Sequence, residues 1–105
     1  MTVAAWLTFL AAALMEVGGD ACIRWGLRGN GPGFILIGAL VLAGYGLLVN
    51  TVSWDFSKLL GVYVAVFAVV SLVSGPVVFK EHVPLSSWLG LLFIVAGGLI
   101  IQYGA

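Results

Sequence analysis

Four long apolar runs, separated by short polar breaks, make up almost the whole chain. The first covers residues 2–24 and ends where Arg24, Arg28 and the stretch Gly29-Asn30-Gly31-Pro32-Gly33 supply charge and a chain reversal. The second covers residues 34–52. It stops at Ser53-Trp54-Asp55-Phe56-Ser57-Lys58, in which Asp55 or Ser57 is placed to cap a third run over residues 59–79. Lys80-Glu81-His82-Val83-Pro84 then precedes a fourth run over residues 86–102. A helix needs about 20 apolar residues to cross the hydrocarbon core, so each run predicts one spanning helix. None has the strict alternation of transmembrane barrel strands. Trp6, Trp25, Trp54, Trp88 and Tyr103 fall near the predicted span ends, where amphipathic rings settle at headgroup level. The fold class predicted is an all-α membrane protein, a four-transmembrane-helix bundle forming a single membrane domain over residues 1–105.

Composition removes the soluble alternatives. Of 105 residues, 63% are hydrophobic and 8% charged, whereas a soluble domain carries about a quarter charged residues. Four spans consume about 80 residues, which leaves only short connections and no second domain. Four Lys and Arg balance four Asp and Glu, so no basic face for nucleic acid and no polybasic lipid-binding tail is expected. The apolar N-terminus lacks the basic start of a secretory signal and is expected to be retained as a span. Cys22 stands alone, which excludes an intrachain disulfide. No nucleophile with a partner base, metal-ligand cluster or phosphate-binding loop is seen, so neither an enzyme nor a cofactor or metal is expected. His82 reads as a solvated loop histidine. Both termini lie on one membrane face with Lys58, while Arg24, Arg28 and Lys80 lie on the other, which the positive-inside rule places in the cytoplasm.

Against that scarcity of charge, Glu16 stands out. It lies about 4 to 5 Å from the middle of the first span at 1.5 Å per residue, where an ionisable group by default marks an ion or substrate pathway. Its alternative is a protonated carboxyl that only hydrogen-bonds a neighbouring helix. Asp20 and Arg24 follow at i+4 and i+8, so the three side chains form one stripe from the membrane centre toward the cytoplasmic face. The stripe reads as a hydrated proton or cation route with Asp20 as relay, or as an interfacial Asp20–Arg24 pair with Arg24 snorkelling outward. Tyr45 and Tyr63 are the deepest aromatics beside plausible polar space; a π face there would hold a cation, and plain interface packing is the alternative. Tyr63 and Glu16 are about 12 Å apart along the membrane normal in one subunit, but an antiparallel partner brings its own Tyr63 nearly to the depth of Glu16. Small residues thin the first, second and fourth spans, and Gly90, Gly97 and Gly98 predict that the fourth is an association helix. Pro76 withdraws the hydrogen bond to the carbonyl of Leu72, giving a kink or a helix end, with Ser71 and Ser74 placed to satisfy the freed groups.

The stretch Leu14-Met15-Glu16-Val17-Gly18-Gly19 with Arg24 beyond it resembles the first helix of the small multidrug resistance family, within the drug/metabolite transporter (EamA-like) superfamily. Phe79-Lys80-Glu81, Trp88-Leu89-Gly90 and Ala96-Gly97-Gly98-Leu99-Ile100-Ile101 are similar to that family's third loop and fourth helix. The resemblance implies that Glu16 binds protons and substrate alternately, that Tyr63 occupies the place of a binding-site tryptophan, and that the fourth helix dimerises. Leu60, Ala65, Phe67 and Asp20 depart from the pattern, and the hinge of the third helix is expected at Gly61 or Gly75 instead. The implied function is a proton-coupled transporter that exports small organic cations in a bacterial or archaeal cytoplasmic membrane. Its partners are the lipid bilayer, a small cationic substrate, protons, and a second copy or paired homologue completing eight helices. An antiparallel pair reproduces an inverted repeat with a midplane site. The alternatives are a non-transporting accessory or structural subunit, such as half of a lipid-carrier flippase, and a uniporter or channel.

Overall fold

Each apolar run forms one helix: α1 over Val3–Trp25, α2 over Pro32–Val49, α3 over Phe56–Val78 and α4 over Leu85–Tyr103. The structure is a computed structural model and describes residues 3–104, which contain no strand. All four helices are long and apolar enough to cross a membrane. Large apolar side chains lie bare along them, among them Leu7, Leu36, Leu40, Leu92, Phe93 and Ile100, each more than half exposed. In water such a surface is untenable; against lipid tails it is the expected one.

The ends of the helices follow local chemistry more closely than hydropathy. Helix α2 starts two residues before the expected position because Pro32 suits the first turn, where no N–H is needed. It stops at Val49, three residues before the expected end. There Asn50 Nδ2 donates to Gly46 O at 2.8 Å and Thr51 Oγ1 to Leu48 O at 2.6 Å, covering carbonyls that the helix leaves open. Asp55 does occupy the position before α3, yet its side chain caps nothing; Leu59 N donates instead to the Asp55 backbone carbonyl at 2.9 Å. Ser57 lies inside the first turn of α3. The reversal between α1 and α2 uses Gly29 and Gly31 at φ 98° and 103°, a region closed to most side chains. Asn30 Nδ2 donates to Trp25 O at 3.1 Å across this turn, and Trp25 meets Phe34 edge to face.

Two compact units divide the chain, Met1–Val52 and Ser53–Ala105, each a helical hairpin. In the first, α1 and α2 meet backbone to backbone. A β-carbon on Gly38 would lie 2.6 Å from the carbonyl oxygen of Gly19 and 2.6 Å from Ile23 Cγ1. Met15 reaches Gly44 in the same way, and Ile35 fills the space beside Gly26. The seam on α1 is thus Met15, Gly19 and Ile23, at helical spacing, continued by Gly26 just past the helix end. In the second unit, Gly98 of α4 faces Ala65 of α3, and Gly61 of α3 faces Ile101. Gly98, expected at a dimer interface, is therefore occupied within its own chain: a β-carbon there would stand 2.6 Å from Ala65 Cβ. Gly90 and Gly97 look onto open space, with nothing within 4 Å of a β-carbon at either.

Pro76 sits within α3, two residues before its last residue, Val78. The nearby serines do not take over the carbonyl it abandons. Ser71 Oγ donates to Ala68 O at 3.1 Å and Ser74 Oγ to Val70 O at 2.7 Å, neither to Leu72. A serine in a helix reaches back three or four residues along its own face, which is why both hydroxyls find earlier carbonyls.

Candidate functional site

Glu16 lies two residues past the middle of α1, about 3 Å along the axis from its centre. It is half-buried, and the turns before it carry Phe9, Ala12 and Ala13, all three at 0% exposure. Each residue of an α-helix is rotated by about 100° from the one before, so Glu16, Asp20 and Arg24 each follow a seam residue, Met15, Gly19 and Ile23, by one step. The charged row therefore runs beside the α1–α2 seam and not within it. The seam is closed by glycine and apolar side chains, and the carboxylates stand on its flank.

Along that row the burial falls away. Glu16 is half-buried, while Asp20 and Arg24 are exposed. Among the described residues Asp20 forms no hydrogen bond and no ion pair, so the interfacial pair with Arg24 is not formed. An acid without a partner, one turn inside the end of an apolar helix, is costly unless water, lipid headgroups or a ligand cation reach it. Tyr45 follows Gly38 by seven residues and returns to the seam side of α2, at the level set by the Met15–Gly44 contact. Glu16, Asp20 and Tyr45 all belong to the first unit.

Tyr63 belongs to the second unit, on α3, where it is 3% exposed and its ring lies 6.3 Å from that of Phe67 in a tilted arrangement. At the start of the same helix Lys58 Nζ sits 5.2 Å from the centre of the Trp54 ring, a cation–π contact at an expected interface position. One polar group was not singled out by its sequence position. Gln102 near the end of α4 is 9% exposed, and its Oε1 accepts no hydrogen bond among the described residues. A terminal glutamine reads in sequence as a span end; only the packing of α4 buries it. No group of three or more His, Cys, Asp or Glu among the described residues is placed to hold a metal.

The helices and the surface they expose define an all-helical membrane protein with four apolar helices of spanning length. Comparison with known proteins makes this specific. The chain belongs to the family described as "Uncharacterised BCR, YnfA/UPF0060 family", whose profile matches residues 2–105. It is similar to the UPF0060 membrane protein YfjF of Bacillus subtilis (strain 168), with 33% identity over 99 residues, covering 92% of this chain and 91% of the relative. It is also similar to a UPF0060 membrane protein of Staphylococcus carnosus (strain TM300), with 34% identity over 97 residues and 90% of each chain covered. No solved structure matches.

Proposed function

We propose that this chain is a small multidrug resistance-type transporter that exchanges protons for small organic cations at Glu16. The observation that supports the reading most directly is the placement of Glu16: half-buried, close to the middle of an apolar helix, and beside a seam that needs no polar group. A carboxyl there can carry a proton or pair with a cation, and the two compete for the same oxygens. One group therefore holds a proton or a cation in turn, and acidification weakens cation binding. Asp20, exposed one turn away, serves as the relay between Glu16 and water, and Tyr45 offers its ring to the cation from α2. Four helices enclose little, so the working unit is a homodimer or a pair with a homologue, assembled through the open Gly90 and Gly97 side of α4. The membrane is the bacterial cytoplasmic membrane, in keeping with bacterial relatives named as membrane proteins.

The test is proton release from purified protein in detergent, titrated with cations ranging from guanidinium to aromatic quaternary ammonium. Release by at least one cation, lost in Glu16→Gln, is expected. Absence of release by every cation overturns the proposal and favours an accessory membrane subunit, for which the bare α4 face is the assembly surface.

A further inference from the structure

At the far end of α3, separate from the acidic row of α1, the chain folds back on itself. Gly75 is buried, and its carbonyl accepts two backbone bonds, from Phe79 N at 3.0 Å and from Glu81 N at 3.1 Å. The first continues the helix; the second ties the following loop to it. Where Gly75 lacks a side chain, loop atoms take the space: a β-carbon there would lie 2.9 Å from Glu81 Oε1 and 3.7 Å from Val83 Cγ2. Lys80, between the two donors, is held at φ 54°, the only described residue other than glycine with positive φ. That conformation is unfavourable for any residue with a β-carbon and persists only where surrounding contacts impose it. Immediately after Gly75, Pro76 has no N–H for Leu72 O, and the neighbouring serines bond elsewhere.

We infer that residues 80–83 form a clasp on the last turn of α3. The helical ladder is interrupted at Leu72, so that turn is secured by the loop in place of the missing bond. The clasp has two unfavourable elements built in. Lys80 is strained, and the Glu81 carboxylate lies against the carbonyl end of a helix, where the macrodipole disfavours negative charge. Both are relieved when the loop lets go, so the closed form is poised to open. Opening frees the turn after Pro76 together with the chain leading into α4 at Leu85. The joint that lets α3 and α4 move is thereby placed at Gly75–Pro76.

Three substitutions move the clasp in opposed directions. Gly75→Ala puts a β-carbon where Glu81 and Val83 rest and opens it; alanine is the better helix former, so the helix itself is retained. Lys80→Gly removes the backbone strain, and Glu81→Gln removes the charge from the helix end; both close it. The measurement is backbone amide exchange by NMR on the full chain in lipid nanodiscs, read at Phe79 and Glu81, since exchange reports local opening. Gly75→Ala is expected to speed exchange at Glu81 by about tenfold or more while Phe79 changes little. Lys80→Gly and Glu81→Gln are each expected to slow exchange at Glu81 severalfold. The inference is overturned if the Glu81 amide of the unmodified chain exchanges at the rate of an unbonded amide. It is equally overturned if Gly75→Ala leaves that rate unchanged, or if the other two variants accelerate it. Where cation transport is measurable, the two closing variants should lower turnover with cation affinity retained. That arm alone rests on the transporter reading, and its failure beside intact exchange results counts against transport and not against the clasp.

Discussion

Gly38→Ala tests the backbone contact that joins α1 to α2. The added methyl would lie 2.6 Å from Gly19 O, 2.6 Å from Ile23 Cγ1 and 3.0 Å from Ile23 N. Two of these are backbone atoms of α1, which no rotamer change can move. Since carbon contacts are comfortable at about 3.5 to 4 Å, the helices must part by about 1 Å at the crossing. A gap of that size forfeits about a quarter to a half of each dispersion contact along the seam, and overpacking of this kind costs about 1–3 kcal/mol. Alanine returns about 0.5–1 kcal/mol through its better helix propensity. The net expectation is a loss of about 1–2 kcal/mol, close to a tenfold change in the unfolding equilibrium. Gly46→Ala on the same helix is the control, because nothing lies within 4 Å of a β-carbon there; it should be neutral or stabilising. Unfolding by denaturing detergent in mixed micelles, followed by helical circular dichroism, measures both. If Gly38→Ala is as stable as Gly46→Ala, the close backbone crossing is wrong.

Other expectations follow from the same contacts. Glu16→Gln should abolish cation-induced proton release while leaving the helical spectrum and the unfolding midpoint nearly unchanged; Asp20→Asn should slow release without abolishing it, as stopped-flow pH-indicator traces will show. Gly97→Leu should leave the hairpin intact yet reduce chemical crosslinking between copies, whereas Gly98→Leu should disrupt the hairpin itself, since Ala65 Cβ stands 2.6 Å from a β-carbon at that position. Equal effects of the two on crosslinking and stability would refute the division between outer and inner glycines. Gln102→Leu should keep or raise stability in the detergent titration, because a buried acceptor without a partner costs about 1–3 kcal/mol and leucine removes it. A marked loss would mean that Gln102 Oε1 has a partner in the membrane.

The four helices were legible because a spanning segment satisfies every backbone group within itself, so hydropathy and length alone determine that it exists. The ends were less so, since they depend on single side chains: Pro32 admits α2 early, and Asn50 and Thr51 close it early. Residue type also misled at Asp55, which holds the capping position without donating or accepting there through its side chain. The glycines show the limit most clearly. Gly90, Gly97 and Gly98 are equivalent as small residues in one apolar helix, yet only Gly98 meets Ala65. Adjacent positions face about 100° apart on a helix, and which direction points inward is decided by the partner helix. Likewise the sequence marks Gly75 only as one of two hinge candidates; its contact with a loop that returns six residues later to hydrogen-bond its carbonyl is visible only in the fold.

The acidic row shows how much a periodic reading can carry. Spacing alone placed Glu16, Asp20 and Arg24 on one stripe, and the helix keeps them so. What spacing could not supply is the direction of that stripe relative to α2. The seam supplies it: Gly19 and Gly38 bring the backbones together, which fixes α1 about its own axis, and the stripe falls one residue to the side. Had the seam used Glu16 and Asp20 themselves, the carboxylates would have been committed to packing against α2. A glycine contact needs no polar group and is close enough to hold rotation, so the rigid seam and the carboxylate row come from neighbouring residues of one helix. This arrangement makes a specific demand. Substitutions that widen the seam, Gly38→Ala first among them, should impair any function of Glu16 even though they leave its side chain untouched. A Gly38→Ala protein that is destabilised as calculated but releases protons normally would separate the seam from the site and refute that dependence.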